Sequence, residues 1–73
     1  MIKMEHEKQA QALVNELSEN YEAWVGDVDV HYAEVCILAP REMPMGLVEV
    51  ISNYGDMRVE GVRENKAEVS VLI

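Results

Sequence analysis

The chain has 73 residues, a single cysteine and a formal net charge of −8 at pH 7, and these properties exclude several classes of protein. The length fits one domain, residues 1–73, and leaves a hydrophobic core of marginal size that a lone cysteine cannot support with an intramolecular disulfide. Because 14 acidic residues oppose 6 basic ones, the surface repels nucleic acid and anionic lipid; the acidity also fits a salt-loving host.

The first predicted element is a helix that stops near residues 18–20. Its apolar residues recur at i, i+3, i+4 and i+7 and form one stripe: Ala10, Leu13, Val14 and Leu17. The tract Ser18-Glu19-Asn20 favours termination, and Asn20 suits a left-handed cap.

A β-hairpin is predicted next, with strands 21–25 and 28–38 joined by a two-residue loop at Gly26-Asp27, where glycine accepts a positive φ. Pro40 ends the second strand. The predicted register sorts the side chains by polarity: it opposes Val25 with Val28, Ala23 with Val30 and Tyr21 with Tyr32 on one face, and Trp24 with Asp29 and Glu22 with His31 on the other. In an alternative, residues 21–25 continue the first helix and the sheet has three strands.

A second helix is predicted over residues 44–53, and Gly55 lies where a C-terminal cap belongs. Its apolar stripe consists of Met43, Leu47, Val50, Ile51 and Tyr54. Two closing strands are predicted next, 57–63 and 67–73. A three-residue loop joins them, because this loop length best separates apolar from polar side chains on the two faces. It opposes Met57 with Ile73, Val59 with Val71 and Gly61 with Val69.

The element order α-β-β-α-β-β predicts a two-layer α+β sandwich with a four-stranded, mostly antiparallel sheet and both helices on one face. The expected strand order is 21–25, 28–38, 67–73, 57–63, a circular permutation of the ferredoxin-like arrangement. In a second topology strand 57–63 lies beside 28–38 and the last strand is outermost.

No catalytic motif is present, so we expect a protein that is not an enzyme and that uses no cofactor and no metal. Cys36 lies in an apolar run, which favours a small buried hydrophobe over a nucleophile. His31, predicted opposite Glu22 and near Asp29, fits a polar surface pair better than a weak metal or proton-switch site.

The stretch Pro44-Met45-Gly46-Leu47-Val48-Glu49-Val50-Ile51, followed by Gly55, resembles the first helix of ACT domains, which are regulatory amino-acid-binding modules. The resemblance covers this helix and the strand before it. The family has adjacent Pro-Gly where Met45 separates Pro44 from Gly46 here. The resemblance implies a ferredoxin-like sheet, dimers and a small-molecule ligand such as an amino acid.

The expected function is a non-catalytic protein-interaction or assembly module, with an ACT-like ligand-binding domain as the alternative. The predicted partner is a second copy, or another protein, on the helix-free face of the sheet, and no nucleic acid or membrane. In this prediction the helices cover Val28, Val30, Val59, Val69 and Val71, and the interface consists of Trp24, Ala33, Val35, Ile37, Val62 and Leu72. Edge pairing through strand 57–63 competes with it, as does coverage by the first helix or a tail.

The segment from Met1 to Gln11 is polar and charged, which does not fit a signal peptide. No apolar run approaches the roughly 20 residues that cross a bilayer. With one unpaired cysteine, the expected compartment is the cytoplasm.

Overall fold

The computed structural model describes residues 2–73, with side chains from residue 5 onward. Its elements in chain order are α1 (Ile2–Leu17), β1 (Glu22–Val28), β2 (Ala33–Pro40), α2 (Met45–Ser52), β3 (Asp56–Arg63) and β4 (Lys66–Leu72). The predicted α-β-β-α-β-β order is confirmed, and residues 21–25 do not continue the first helix.

The four strands form one antiparallel sheet in the order β1-β2-β4-β3, which confirms the predicted strand order. Both helices pack on the same face, because their buried side chains share one core cluster with the strands. That cluster consists of Ala10, Leu13, Val14, Leu17, Ala33, Val35, Ile37, Ala39, Leu47, Ile51, Ala67, Val69 and Val71. The opposite face of the sheet has no helix on it within the described residues.

The predicted apolar stripe of α1 is buried as a whole, which is the 3.6-residue period expected of a helix that covers a sheet. The helix ends at Leu17, whose carbonyl accepts the N–H groups of Asn20 and Tyr21, while the Ser18 hydroxyl donates to the Val14 carbonyl. Asn20 has a negative φ, so the predicted left-handed cap is wrong. Side-chain and backbone hydrogen bonds close this helix without one.

The β1–β2 hairpin exists, but its turn lies four residues later than predicted. The turn holds Val30 and His31, and the N–H of Asp29 donates to the Tyr32 carbonyl at 2.8 Å. Gly26 and Asp27 instead form a bulge within β1, and Gly26 has no positive φ. The pairs are Val28 with Ala33, Val25 with Val35, Ala23 with Ile37, Trp24 with Cys36 and Glu22 with Leu38. The predicted register of this hairpin is therefore wrong.

The second helix begins one residue later than predicted, after Pro44 in an extended conformation. Its apolar stripe is confirmed, because Leu47 and Ile51 are buried and the other three predicted members pack partly against the core. Gly55 is not a left-handed cap, since its φ is negative. It is required because a Cβ there would overlap the Leu72 carbonyl oxygen and lie 2.9 Å from the Leu72 carbonyl carbon.

The β3–β4 hairpin has a two-residue loop, Glu64-Asn65, where three residues are predicted. Arg63 pairs with Lys66, and Glu64 takes a φ of 50°. A bulge at Glu60 shifts the register by one, so that Met57 opposes Val71 and Val59 opposes Val69. The two-residue loop alone would place an apolar residue of β3 opposite a polar residue of β4. The bulge shifts the register by one and so restores apolar pairs such as Val59 with Val69.

Two predicted face assignments, one on β2 and one on β3, are wrong. A turn or bulge that the prediction does not contain moves the residues beyond it to the opposite face of the sheet. Ala33, Val35 and Ile37 lie under the helices and are 0%, 0% and 1% exposed. A continuous alternation from Val28 predicts the helix-free face for these residues, but the turn at residues 29–32 interrupts that alternation. Val62 pairs with Ala67 on the helix-bearing face, because the bulge at Glu60 precedes it.

Candidate functional site: the open face of the sheet

The candidate site is the helix-free face of the sheet, named here the open face. Cross-strand pairs arrange it in rows, read from β1 to β3. The middle row is Trp24, Cys36, Ser70 and Arg58; one flanking row is Glu22, Leu38, Glu68 and Gly61; the other is Glu34, Leu72 and Asp56. Glu60 joins them from the bulge. Because successive side chains of β2 and β4 point to opposite faces, these two strands place as many polar as apolar side chains in the three rows.

A shallow depression of about 380 Å³ lies on the open face between β1 and β4. Its lining comprises Trp24, Glu34, Cys36, Ile37, Leu38, Glu60, Glu68, Val69 and Ser70. Trp24 is 47% exposed although it stands in a sheet, because no helix covers this side of β1. The depression thus combines an aromatic wall with three carboxylates and no cationic side chain.

A second depression of about 300 Å³ adjoins the first and shares Glu34, Glu60 and Ser70 with it. Arg58 lines this one, together with Asp27, Tyr32 and Leu72. Leu72 is 44% exposed. The two depressions are therefore neighbours on the open face, and Trp24 lines one of them while Leu72 lines the other.

Carboxylates dominate the electrostatics of the open face. Six of them lie on its rows, in its bulge or in the lining of its depressions: Glu22, Asp27, Glu34, Asp56, Glu60 and Glu68. Arg58 lies in the middle row, and Lys66 and Arg63 pair in a further row of the same face at the hairpin end, beside Pro40. Among residues 5–73 the recorded ion pair is Arg63 Nε to Glu68 Oε1 at 3.9 Å between exposed groups, which is too weak to neutralise the face.

Glu60 is fixed by a hydrogen bond that the Ser70 hydroxyl donates to its Oε2 at 2.9 Å. Ser70 is buried, and its hydroxyl reaches the carboxylate because the bulge brings Glu60 toward β4. A bulge commonly redirects one side chain in this way. The carboxylate is consequently held over the middle of the open face.

Burial raises the pKa of the Cys36 thiol above its ordinary value of 9.0, and the nearby carboxylates Glu34, Asp27 and Glu60 raise this pKa further. A raised thiol pKa lowers the population of the nucleophilic thiolate at neutral pH. Cys36 is partly exposed rather than buried, yet the open face makes it a poor nucleophile.

The structure brings together only part of the predicted interface. Trp24 and Leu72 lie on the open face, whereas Ala33, Val35, Ile37 and Val62 do not. The predicted group of Glu22, Asp29 and His31 is dispersed: Glu22 begins β1 and pairs with Leu38, while His31 is exposed in the turn beyond the other end of that strand. Residues 5–73 contain no cluster of three or more His, Cys, Asp or Glu side chains suited to a metal ion.

Glu34, Cys36 and Leu38 lie on the open face, although the alternation predicted from the sequence does not place them there. The available signal was the alternation within β2, where Glu34 is the charged residue of an otherwise apolar run. A buried face rejects an unpaired carboxylate, so Glu34 marks the exposed face of its strand and places Cys36 and Leu38 beside it.

The segment that resembles ACT domains spans the N-cap Pro44 and the first seven residues of α2. A Cβ at Gly46 would meet nothing within 4 Å, so no described part of the chain outside this helix approaches the glycine closely. The ligand implied by the resemblance stays a prediction.

The chain matches no protein-family model, no curated protein and no solved structure. Neither helix in the described part of the chain has the length and apolar character needed to cross a membrane.

Proposed function

We propose that this protein is a small, non-catalytic interaction module that binds another protein surface through the open face. The observation that supports the proposal is the half-exposed Trp24 beside a depression of about 380 Å³ on a sheet face without helices. Tryptophan anchors are enriched where protein surfaces dock, because they bury much area with few rotatable bonds.

The composition of the open face fits docking better than chemistry. Its thiol has a raised pKa, whereas a nucleophilic cysteine needs a lowered one. Its buried Ser70 hydroxyl donates to Glu60, and no histidine lines the depression to act as the usual base of a serine nucleophile. The homodimer expected from the sequence loses its main support, because the apolar strip of Ala33, Val35 and Ile37 lies in the core.

The test is a selection of displayed peptides on the folded protein, followed by comparison of two variants. Trp24→Ala removes the anchor, and Met45→Ala removes an equally apolar side chain that is 78% exposed at the start of α2. We expect most enriched peptides to lose at least about tenfold in affinity with Trp24→Ala, the usual effect of truncating an interface anchor. Affinity for the Met45→Ala variant should stay within about twofold.

Circular dichroism of both variants establishes that they remain folded. If the enriched peptides bind Trp24→Ala as tightly as the wild-type protein, the docking surface lies elsewhere and the proposal is wrong. The composition of the peptides has no bearing on this outcome.

A further inference from the structure

We propose that the occupant of the open face is a basic segment of a partner protein, with a Lys or Arg side chain lying against Trp24 and its charged end among Glu34, Glu60 and Glu68. This inference rests on the proposed function and specifies the chemistry of the partner.

The depression beside Trp24 has an excess of negative charge, although Arg58 lines the adjoining depression that shares Glu34 and Glu60. Glu34, Glu60 and Glu68 line it, and no Lys or Arg does. The weak contact from Arg63 to Glu68 comes from outside the depression. The raised pKa of Cys36 has the same cause in part, since Glu34 and Glu60 both disfavour a negative thiolate there. A cationic group in the depression would relieve this repulsion, which gives a partner of opposite charge a direct electrostatic gain.

The lining also matches the two parts of a long cationic side chain. Trp24, Leu38 and Cys36 offer apolar surface to a methylene stem, and the carboxylates surround the place where the stem ends. A cation over an indole ring gains about 0.5–2 kcal/mol beyond ordinary contact. The Ser70 hydroxyl already holds Glu60, so one carboxylate is ordered before the partner arrives and less entropy is lost on binding.

Other occupants fit less well. A second copy would bring the same carboxylates against this face, and each chain has a net charge of −8. Nucleic acid and anionic lipid would be repelled for the same reason. An uncharged apolar segment would bury Glu34, Glu60 and Glu68 without a partner, which is costly.

The direct test uses fluorescence anisotropy of a labelled synthetic peptide in which Lys alternates with Val and Leu. A second peptide has Glu in place of every Lys, and a third has Ser. We expect saturable binding of the Lys peptide alone, and an affinity that falls when the salt concentration rises from about 0.05 to about 0.5 M. Light scattering of the unliganded protein should show a monomer at the same concentration.

Two matched double variants locate the binding. Glu60→Gln with Glu68→Gln removes two charges from the depression, and Gln at position 60 can still accept the Ser70 hydrogen bond. Glu5→Gln with Glu49→Gln removes the same charge from exposed positions on the helices. We expect the first to raise the Kd roughly 5- to 20-fold and the second to change it less than about twofold. Trp24→Leu should raise the Kd about threefold to tenfold through loss of the cation–π contact.

Four results would overturn the inference. One is binding of the Glu or Ser peptide as tightly as the Lys peptide, and another is no binding of the Lys peptide at about 1 mM. The third is a dimer that Trp24→Ala dissociates, since the occupant would then be a second copy. If displayed peptides without Lys or Arg depend on Trp24, the inference fails while the proposed function stands.

Discussion

Gly26 and Glu34 define the surroundings of Cys36. A Cβ on Gly26 would lie 2.7 Å from Glu34 Oε1 and 3.2 Å from Cys36 Sγ, so the glycine in the β1 bulge leaves space for both side chains. With Glu34 held close in this way, the carboxylate acts on the thiol as a neighbouring negative charge. The bulge therefore has a chemical effect on Cys36 as well as a geometric one.

The raised pKa of Cys36 predicts slow alkylation and a loss of stability at alkaline pH. Below the ordinary pKa of 9.0 the thiol is protonated in both the folded and unfolded states, and its contribution to folding is complete. As the pH rises through the higher folded-state pKa, the unfolded chain has already released this proton, so stability is lost. The measurement is the pH profile of the rate at which iodoacetamide modifies the folded protein.

We expect the midpoint of that profile to lie above 9.0, and Glu34→Gln to move it downward. Glu49→Gln, on the exposed side of α2, serves as the charge-matched control and should leave it in place. A midpoint at or below 9.0 in the wild-type protein would contradict the described surroundings of Cys36.

The junction between α2 and β3 has no space for a side chain at Gly55. Gly55 follows α2 closely, and its N–H donates to the Ile51 carbonyl at 3.1 Å. A Cβ there would overlap the backbone of Leu72 and lie 3.1 Å from the Cα of Ile73. Since backbone rather than a mobile side chain is the obstacle, β4 would have to move away from the junction.

Gly55→Ala should lower the free energy of unfolding by about 2–3 kcal/mol, the usual cost of overpacking with a backbone shift. Gly46→Ala is the matched control, because a Cβ at Gly46 meets nothing within 4 Å and alanine is the better helix former. It should stabilise the protein by up to about 1 kcal/mol. Urea unfolding of both variants decides the matter, and equal effects would contradict the description of this junction.

The helices could be predicted from the sequence because their residues repeat regularly. Ala10 to Leu17 keep the period of a helix, and Leu47 and Ile51 do the same in α2. The strand order followed from the rules for short connections, without any need for the register. These features depend on the character of a whole segment and tolerate an error of one residue.

The faces of the strands could not be predicted fully. The face on which a side chain lies depends on whether an odd or an even number of residues separates it from the last turn or bulge. The Gly26-Asp27 pair indicates a turn, yet the chain uses it as a bulge and turns at Val30-His31. The three-residue loop was inferred from an alternation that the Glu60 bulge breaks. Each single-residue irregularity exchanges the two faces beyond it, so the residues of the open face were predicted correctly on β1 and β4, only in part on β3 and not on β2.

For the whole molecule, the two faces of the sheet predict opposite responses to the same substitution. Val35→Glu would place a carboxylate at a side chain that is 0% exposed beneath the helices, whereas Trp24→Glu changes one that is 47% exposed. The first should cost more than about 4 kcal/mol and leave the chain unfolded, because a small domain has little stability to lose. The second should cost about 1–2 kcal/mol.

Circular dichroism and heteronuclear NMR of the two variants test this contrast. A folded Val35→Glu variant with altered association would instead place Val35 on an exposed surface. The same result would contradict the assignment of the open face, on which both proposals depend.

The central position of β4 has a consequence for the kinetics of folding. β3 reaches the rest of the sheet only through β4, and the pair Pro40–Lys66 closes a loop over residues 41–65. Without that closure the sheet consists of two separate hairpins, and a two-stranded hairpin is at best marginally stable in water. Folding should therefore proceed in one cooperative step whose rate is set by docking of the β3–β4 hairpin against β2, at the intermediate speed of mixed α/β topologies.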